Sequence, residues 1–211
     1  MLRTTLAFTA LSFVGVCHAQ ADAIQRPHVK PGDSWTYRRM DYAANKQTGR
    51  LQEVVTFANE RVIQVVDHRG TSEKEVDATY TSDWNYVSSP NGRVFQPDQG
   101  LFRFPMNAGD THEAHYNMKD PTAGAFEVRF DRHVKVIGWE NVTVPAGTFR
   151  ALRIESEGPF QRLDIGVKGT AKETAWYAPE VKRHVKWTFE NWNVKGRNLW
   201  WGLELLEYKV Q

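Results

Sequence analysis

Residues 126–136 carry the most regular pattern in the chain: Phe126, Val128, Phe130, Val134 and Val136 alternate with Glu127, Arg129, Asp131, His133 and Lys135. A period of two is the period of a β-strand, whose successive side chains point to opposite faces, so this run predicts a strand with one dry and one wet face. Arg132 breaks the rule by standing at a dry position. A bulge near Asp131 would turn it out, and so would a stem that covers apolar surface while the head reaches water. The functional alternative is a guanidinium that faces an apolar cavity and holds an anionic head group.

The pattern recurs along the chain. Val142 and Val144 flank Thr143 before Pro145-Ala146-Gly147, where proline presets φ and glycine accepts the positive φ that follows, which makes a hairpin turn. After a second turn at Ala178-Pro179-Glu180, residues Val181, Arg183, Val185, Trp187 and Phe189 fall on one side, and Lys182, His184, Lys186, Thr188 and Glu190 on the other. Further strands are expected over 34–42, 51–57, 61–67, 73–81, 109–116 and 203–210, the last with a bulge at Leu205-Leu206. Turn residues crowd 82–105, which reads as a long loop with one or two brief strands; 45–49 and 192–202 read as loops. No window of ten or more residues shows helical spacing. The fold expected is therefore all-β: a strongly curved antiparallel sheet, a half-barrel or nearly closed barrel, with little helix.

Residues 1–21 form a targeting segment, with Arg3 as its positive start, an apolar run over 6–16, and small-x-small sites at Cys17-His18-Ala19 and Ala19-Gln20-Ala21. Cleavage would leave residues 22–211 as one antiparallel β domain and would discard the lone cysteine, so no disulfide is expected. Val16 stands where a lipoprotein signal needs a small residue. No other apolar run approaches the roughly twenty residues that span a bilayer as a helix, so no stable membrane span is expected. The net charge of +2 in a chain that is 25% charged argues against a nucleic-acid binder that relies on a basic field.

Two stretches, V-T-V-P-A-G-T-F-R-A-L-R-I at 142–154 and W-Y-A-P-E-V-K-R-H-V-K at 176–186, with weaker matches at P-G-D-S-W-T-Y (31–37) and F-P-M-N-A-G-D (104–110), resemble secreted bacterial proteins of the TapB-like and related uncharacterised families. The resemblance implies export and a curved half-barrel shared with lipoprotein-localisation factors. Such families have no settled activity, so it implies no catalytic residues. The chain departs from the pattern at Lys182 and Arg183, where relatives often carry glycine, and at His112, where they often carry tryptophan.

Catalytic and metal motifs are weak. His112 and His115 in T-H-E-A-H-Y are one residue short of the helical zinc spacing, and on a strand residues three apart face opposite sides, so no metal is expected. There is no G-x-S-x-G elbow and no cysteine past residue 17, so no catalytic residue and no cofactor is assigned. Tryptophan is the stronger signal: all eight lie beyond residue 21, with Trp176, Trp187, Trp192, Trp200 and Trp201 in the last third. The function expected is an exported, non-enzymatic binding or carrier protein for an apolar or amphipathic ligand in the cell envelope. Val185, Trp187, Phe189, Phe126, Val128 and Phe130 would line its cavity, Arg132 would orient an anionic head, and 82–105 and 191–202 would serve as lids. The alternatives are an envelope protein-protein interaction module and a hydrolase. A carrier should leave part of the inner face uncovered, an interaction module should fill it and expose an apolar patch, and an enzyme should converge polar groups.

Overall fold

The computed structural model describes residues 23–69, 76–122 and 124–211. The targeting segment, Cys17 and the first residues of the strand expected at 73–81 lie outside the described residues.

The strands are β1 (Ser34–Asp41), β2 (Lys46–Ala58), β3 (Val62–Arg69), β4 (Val76–Thr81), β5 (Tyr86–Ser88), β6 (Val94–Gln96), β7 (Thr111–Asp120), β8 (Phe126–Val144), β9 (Gly147–Arg162), β10 (Lys168–Ala178), β11 (Arg183–Asn193) and β12 (Gly196–Lys209). Each pairs antiparallel with its neighbours in sequence, and β1 pairs with both β2 and β12, so the sheet closes into a barrel. Ser34 faces Val54 on one side and Lys209 on the other. Closure removes the free edges of an open sheet, except where the β8–β9 hairpin runs past the barrel and residues 138–144 pair with β9 alone. The helical content among the described residues is a single 3-10 turn, Pro179–Val181.

The period-two runs became strands, and the bulge expected near the end of the chain is present: Thr36 faces Glu207 and Tyr37 faces Leu205, which leaves Leu206 as the extra residue. Three expectations are corrected. The loop at 192–202 is instead a ladder, with Asn191 opposite Leu199 and Trp192 opposite Arg197. Apolar residues on both faces of the Leu199-Trp200-Trp201 run hid its alternation. The loop at 45–49 belongs to β2, where Gln47 and Lys46 pair with Met40 and Asp41 through the backbone alone. No bulge sits at Asp131: Phe130 faces Phe160 and His133 faces Glu157 in one continuous register, and the shift comes later, between Val136 and Gly138.

The two ends of the barrel differ. One rim carries the hairpin turns at 42–45, 163–167 and 194–195. The other carries residues 23–33 and 97–110, which fold back onto the inner face. Leu101, Phe102, Phe104 and Met106 are all buried, Phe104 packs edge-on against Tyr177 with ring centroids 5.3 Å apart, and Met106 forms a backbone bridge with Ile24. Much of the stretch expected to be a lid is therefore a plug, held because its apolar side chains complete the core of Trp35, Tyr37, Val134, Ile154 and Leu205.

Candidate functional site

The inner face contains two charged layers. The one nearer the plug centres on Arg183, 2% exposed. Its Nη1 lies 2.7 Å from Glu53 Oε2, and its Nη2 donates to the Tyr80 hydroxyl at 2.8 Å, which in turn donates to Glu53 Oε1 at 2.6 Å. The rings of Trp84, Tyr80 and Trp35 stand 4.3, 4.9 and 5.3 Å from the guanidinium carbon, so cation-π contacts add to the ion pair. This arginine is held by its ion pair, the Tyr80 hydroxyl and three rings, although its Nε makes no hydrogen bond.

The second layer lies toward the hairpin rim and centres on Arg132, 1% exposed. Unbroken register in β8 keeps it inward between Phe130 and Val134. The space for so large a side chain comes from its neighbours: Ala114 faces it on β7, Ala171 approaches from β10, and a side chain on Gly158 of β9 would strike its Cα at 3.2 Å. Arg132 Nη1 donates to the carbonyls of Ala171 and Gly158, and the guanidinium covers the Phe130 ring at 4.7 Å. Its Nε and Nη2 complete no hydrogen bond. Unmade bonds on a buried charge are costly, on the order of 1–3 kcal/mol or more each, so these two nitrogens favour any acceptor that reaches them.

Glu173, 3% exposed, is the acidic neighbour. Gln99 of the plug donates to its Oε1 at 2.6 Å, and the Trp187 indole also hydrogen-bonds it. Burial raises the carboxyl above its ordinary range, against the opposing pull of Arg132, Gln99 and Trp187. A raised value means that the carboxyl resists ionisation, so Glu173 is a poor counter-ion for Arg132.

Above this pair the wall is aromatic and only half covered. Phe126, Val128, Phe130 and Phe189 fall in one cluster with Tyr116, Phe95 and Phe160. Trp187 borders it, stacked on Phe189 at 6.2 Å and edge-on to Trp201 at 4.7 Å. Val128 and Phe130 are buried, whereas Phe126, Trp187 and Phe189 stay partly exposed. Val185 sits apart from them, fully buried in the plugged half with the core around Trp35. Six of the seven residues marked from the sequence thus come together, and Val185 supports the other half. Glu173, Gln99, Tyr116, Phe160 and Trp201 were not marked. For Glu173 the signal was available, because Ala171, Glu173, Ala175 and Tyr177 alternate on one face of β10 just as Arg132 does on β8.

Neither alternative for placing Arg132 in water holds. The histidines in T-H-E-A-H-Y have protein partners: His112 Nε2 meets the Gly100 carbonyl at 2.8 Å and His115 Nδ1 meets Asp131 at 2.8 Å. Two clefts open at the plugged end, one of about 300 Å³ beside Arg26, His28 and Glu60 and one of about 150 Å³ beside Arg103 and His112. None of the buried polar atoms that lack a partner lines either cleft. Size alone favours those clefts, but neither holds an unmet buried polar group, whereas Arg132 lies beneath the half-covered aromatic wall.

No family model matches the chain, and no curated protein is similar to it. Two solved structures share its fold. One is a proposed lipoprotein from Parabacteroides distasonis, 17% identical, with a TM-score of 0.54 over 89% of this chain and 100% of that one. The other is a proposed exported protein with a YmcC-like fold from Bacteroides fragilis, 19% identical, with a TM-score of 0.51 and the same coverage. At these identities the likeness is one of fold. Neither carries the TapB-like or localisation-factor name, and the sheet here is a closed barrel, not the half-barrel that resemblance implied.

Proposed function

We propose that this chain is an exported, non-enzymatic binding protein of the cell envelope that takes an anionic amphipathic molecule through the hairpin rim, head group toward Arg132 and apolar tail along Phe126, Trp187 and Phe189. The observation that carries the reading is a buried guanidinium with two unmet nitrogens beneath a half-covered aromatic wall. Export is supported by the charged start and apolar run of residues 1–21 and by the descriptions of the two solved neighbours. The TapB-like resemblance points to the same compartment.

The magnitudes are adequate. Covering roughly 200–300 Å² of apolar surface at about 25 cal/mol per Å² contributes roughly 5–7 kcal/mol before the costs of association. A charge-assisted contact at Arg132 adds about 1.5–3 kcal/mol. These contributions total roughly 6.5–10 kcal/mol before those costs, so a complex no tighter than micromolar, near −8 kcal/mol, is the result to expect.

The test uses laurate and its neutral analogue dodecanol, with intrinsic tryptophan emission and thermal stability as readouts. Laurate should shift both and dodecanol should bind at least roughly tenfold more weakly, one charge-assisted contact's worth. Arg132→Met, which keeps the stem, should remove the preference for the anion. If neither compound moves either signal in the parent protein, the reading fails.

A further inference from the structure

Beyond ligand binding, the hairpin rim has a feature that the mouth does not explain. Four of the nine exposed large apolar side chains among the described residues lie in two turns, Leu163, Ile165 and Val167 between β9 and β10 and Val194 between β11 and β12, and a fifth, Leu199, stands in β12 opposite Asn191. Val194 is 102% exposed and Ile165 60%. The two tips rise to one height. Thr170 faces Trp192 across the β10–β11 ladder, and each strand continues about two residues beyond that pair before its turn. The β1–β2 turn stands beside them, where the Tyr42 amide bonds the Trp200 carbonyl at 3.0 Å and the two rings lie 5.5 Å apart.

The charge at this edge has one sign in excess. The two tips carry Arg162, Lys168, Lys195 and Arg197 against Asp164 and Glu190, the latter paired with Arg197 at 3.1 Å, four basic residues to two acidic, for a net +2. Half-exposed Trp192 and Trp200 sit a residue or two below the apolar tips, and Arg197 covers the Trp200 ring at 4.7 Å. Apolar side chains in front, tryptophans behind them and basic residues around them are the arrangement that suits the boundary between lipid head groups and acyl chains. The barrel wall is unlike this, since β8 alone turns Glu127, Arg129, Asp131, His133 and Lys135 outward. A charged wall of this kind is costly in hydrocarbon. Contact is therefore confined to the rim.

We propose that the tips at Leu163–Val167 and Val194–Leu199 seat this rim on an anionic lipid bilayer, with the apolar side chains entering the head-group layer and the basic residues facing lipid phosphates. The barrel then stands on the surface with its aromatic mouth at the lipid. The inference does not depend on what binds at Arg132.

The test is flotation with vesicles of phosphatidylcholine, alone or with a quarter phosphatidylglycerol, using purified protein whose N-terminus has been sequenced so that no apolar leader or acyl group remains. The parent should partition about tenfold more strongly onto the anionic vesicles at low salt, as a few basic residues near such a surface provide, and lose that preference in high salt. Ile165→Asp with Val194→Asp, both at exposed positions where folding is little affected, should abolish flotation. Lys168→Glu with Lys195→Glu should remove only the preference for the anionic lipid. Failure of the parent to float, or equal flotation of the Ile165→Asp, Val194→Asp variant, overturns the proposal. So does a parent dimer in solution that this variant converts to monomer, which would assign the patch to a second copy of the chain.

Discussion

Arg183 and Glu53 meet inside the barrel, Nη1 to Oε2 at 2.7 Å, with each side chain 3% exposed. Taking two charges out of water is repaid only when partners hold them well, and here Tyr80 bonds both residues while three aromatic rings surround the guanidinium, although the Arg183 Nε makes no hydrogen bond. Removing one partner leaves the other charged and buried. Glu53→Gln and Arg183→Met should each lower stability by about 3–5 kcal/mol, while the double replacement Glu53→Met, Arg183→Met should cost clearly less than the sum. Urea unfolding of the three variants measures this, and strictly additive losses would show that the pair does not act as a unit.

Arg183 also shows what was legible in the sequence. Its place on the apolar side of β11 followed from the alternation with Val181, Val185 and Trp187, and so did the turn before it. Its partner did not, because Glu53 lies three strands away around the closure and only the pairing of β1 with β2 and β12 brings the two together. Lys182 is similar. It stands where the resembling sequences often have glycine, and it adopts φ of 59°, a left-handed conformation that suits glycine. The lysine is explained by its reach: Nζ donates to the Gln211 carbonyl at 2.6 Å and the His28 carbonyl at 2.8 Å, and lies 3.2 Å from buried Asp33. It ties the two ends of the chain together, a long-range role that no local pattern encodes. The aromatic wall was legible for the same reason that Arg183 was, through period two. The plug was not, since Phe102, Phe104 and Met106 alternate only over a short run interrupted by Pro105, and are ordered by the barrel they fill.

Close backbone approach at Gly158 predicts a sharp contrast between two glycines. A Cβ there would come within 2.1 Å of the Asp131 carbonyl oxygen, so β8 and β9 would have to part beside Arg132. Gly49, in β2, has no atom within 4 Å of a Cβ. Gly158→Ala should destabilise by at least about 1–3 kcal/mol, the usual cost of forcing atoms into a packed site. Gly49→Ala should be neutral or slightly stabilising, because alanine has less freedom to lose on folding. Equal melting temperatures for the two variants would contradict the fit.

His184 predicts acid sensitivity above the carboxylate range. Burial, reinforced by the neighbouring Arg183 charge, holds its imidazole well below the ordinary value, and its buried Nε2 has no hydrogen-bond partner. The folded protein therefore keeps it neutral, while the unfolded chain takes up a proton near pH 6.5. Stability from this group is complete above that pH and falls as pH drops below it, by at most about 1.4 kcal/mol per pH unit. Urea midpoints from pH 7.5 to pH 5 should decline in the parent. His184→Phe, which keeps a ring against Tyr37, should flatten the decline, and an unchanged slope would place the acid sensitivity elsewhere.

Glu173 beside Arg132 makes stability and anion binding move the same way with pH, both gaining as it falls. Burial raises the Glu173 carboxyl, so stability from this group is complete below the unfolded carboxylate value near pH 4.3 and is lost as pH rises through the higher folded value. Glu173→Gln keeps an amide that Trp187 can still bond through its oxygen and removes the penalty, so the variant should gain on the parent steadily as pH rises through that window. Anion binding follows from the same proton. A carboxylate or sulfate head beside Arg132 competes with ionised Glu173 for one guanidinium, so binding should take up a proton and tighten as pH falls toward the raised value. The check is a titration with dodecyl sulfate, whose head stays charged across the range, followed by tryptophan emission at several pH values. The parent should bind up to about tenfold more tightly per pH unit lowered within the window, the limit for uptake of one proton. Glu173→Gln should bind with little pH dependence and at least as tightly as the parent at neutral pH. A slope that survives in Glu173→Gln would mean that another group takes up the proton, and the role assigned to Glu173 beside Arg132 would have to be withdrawn.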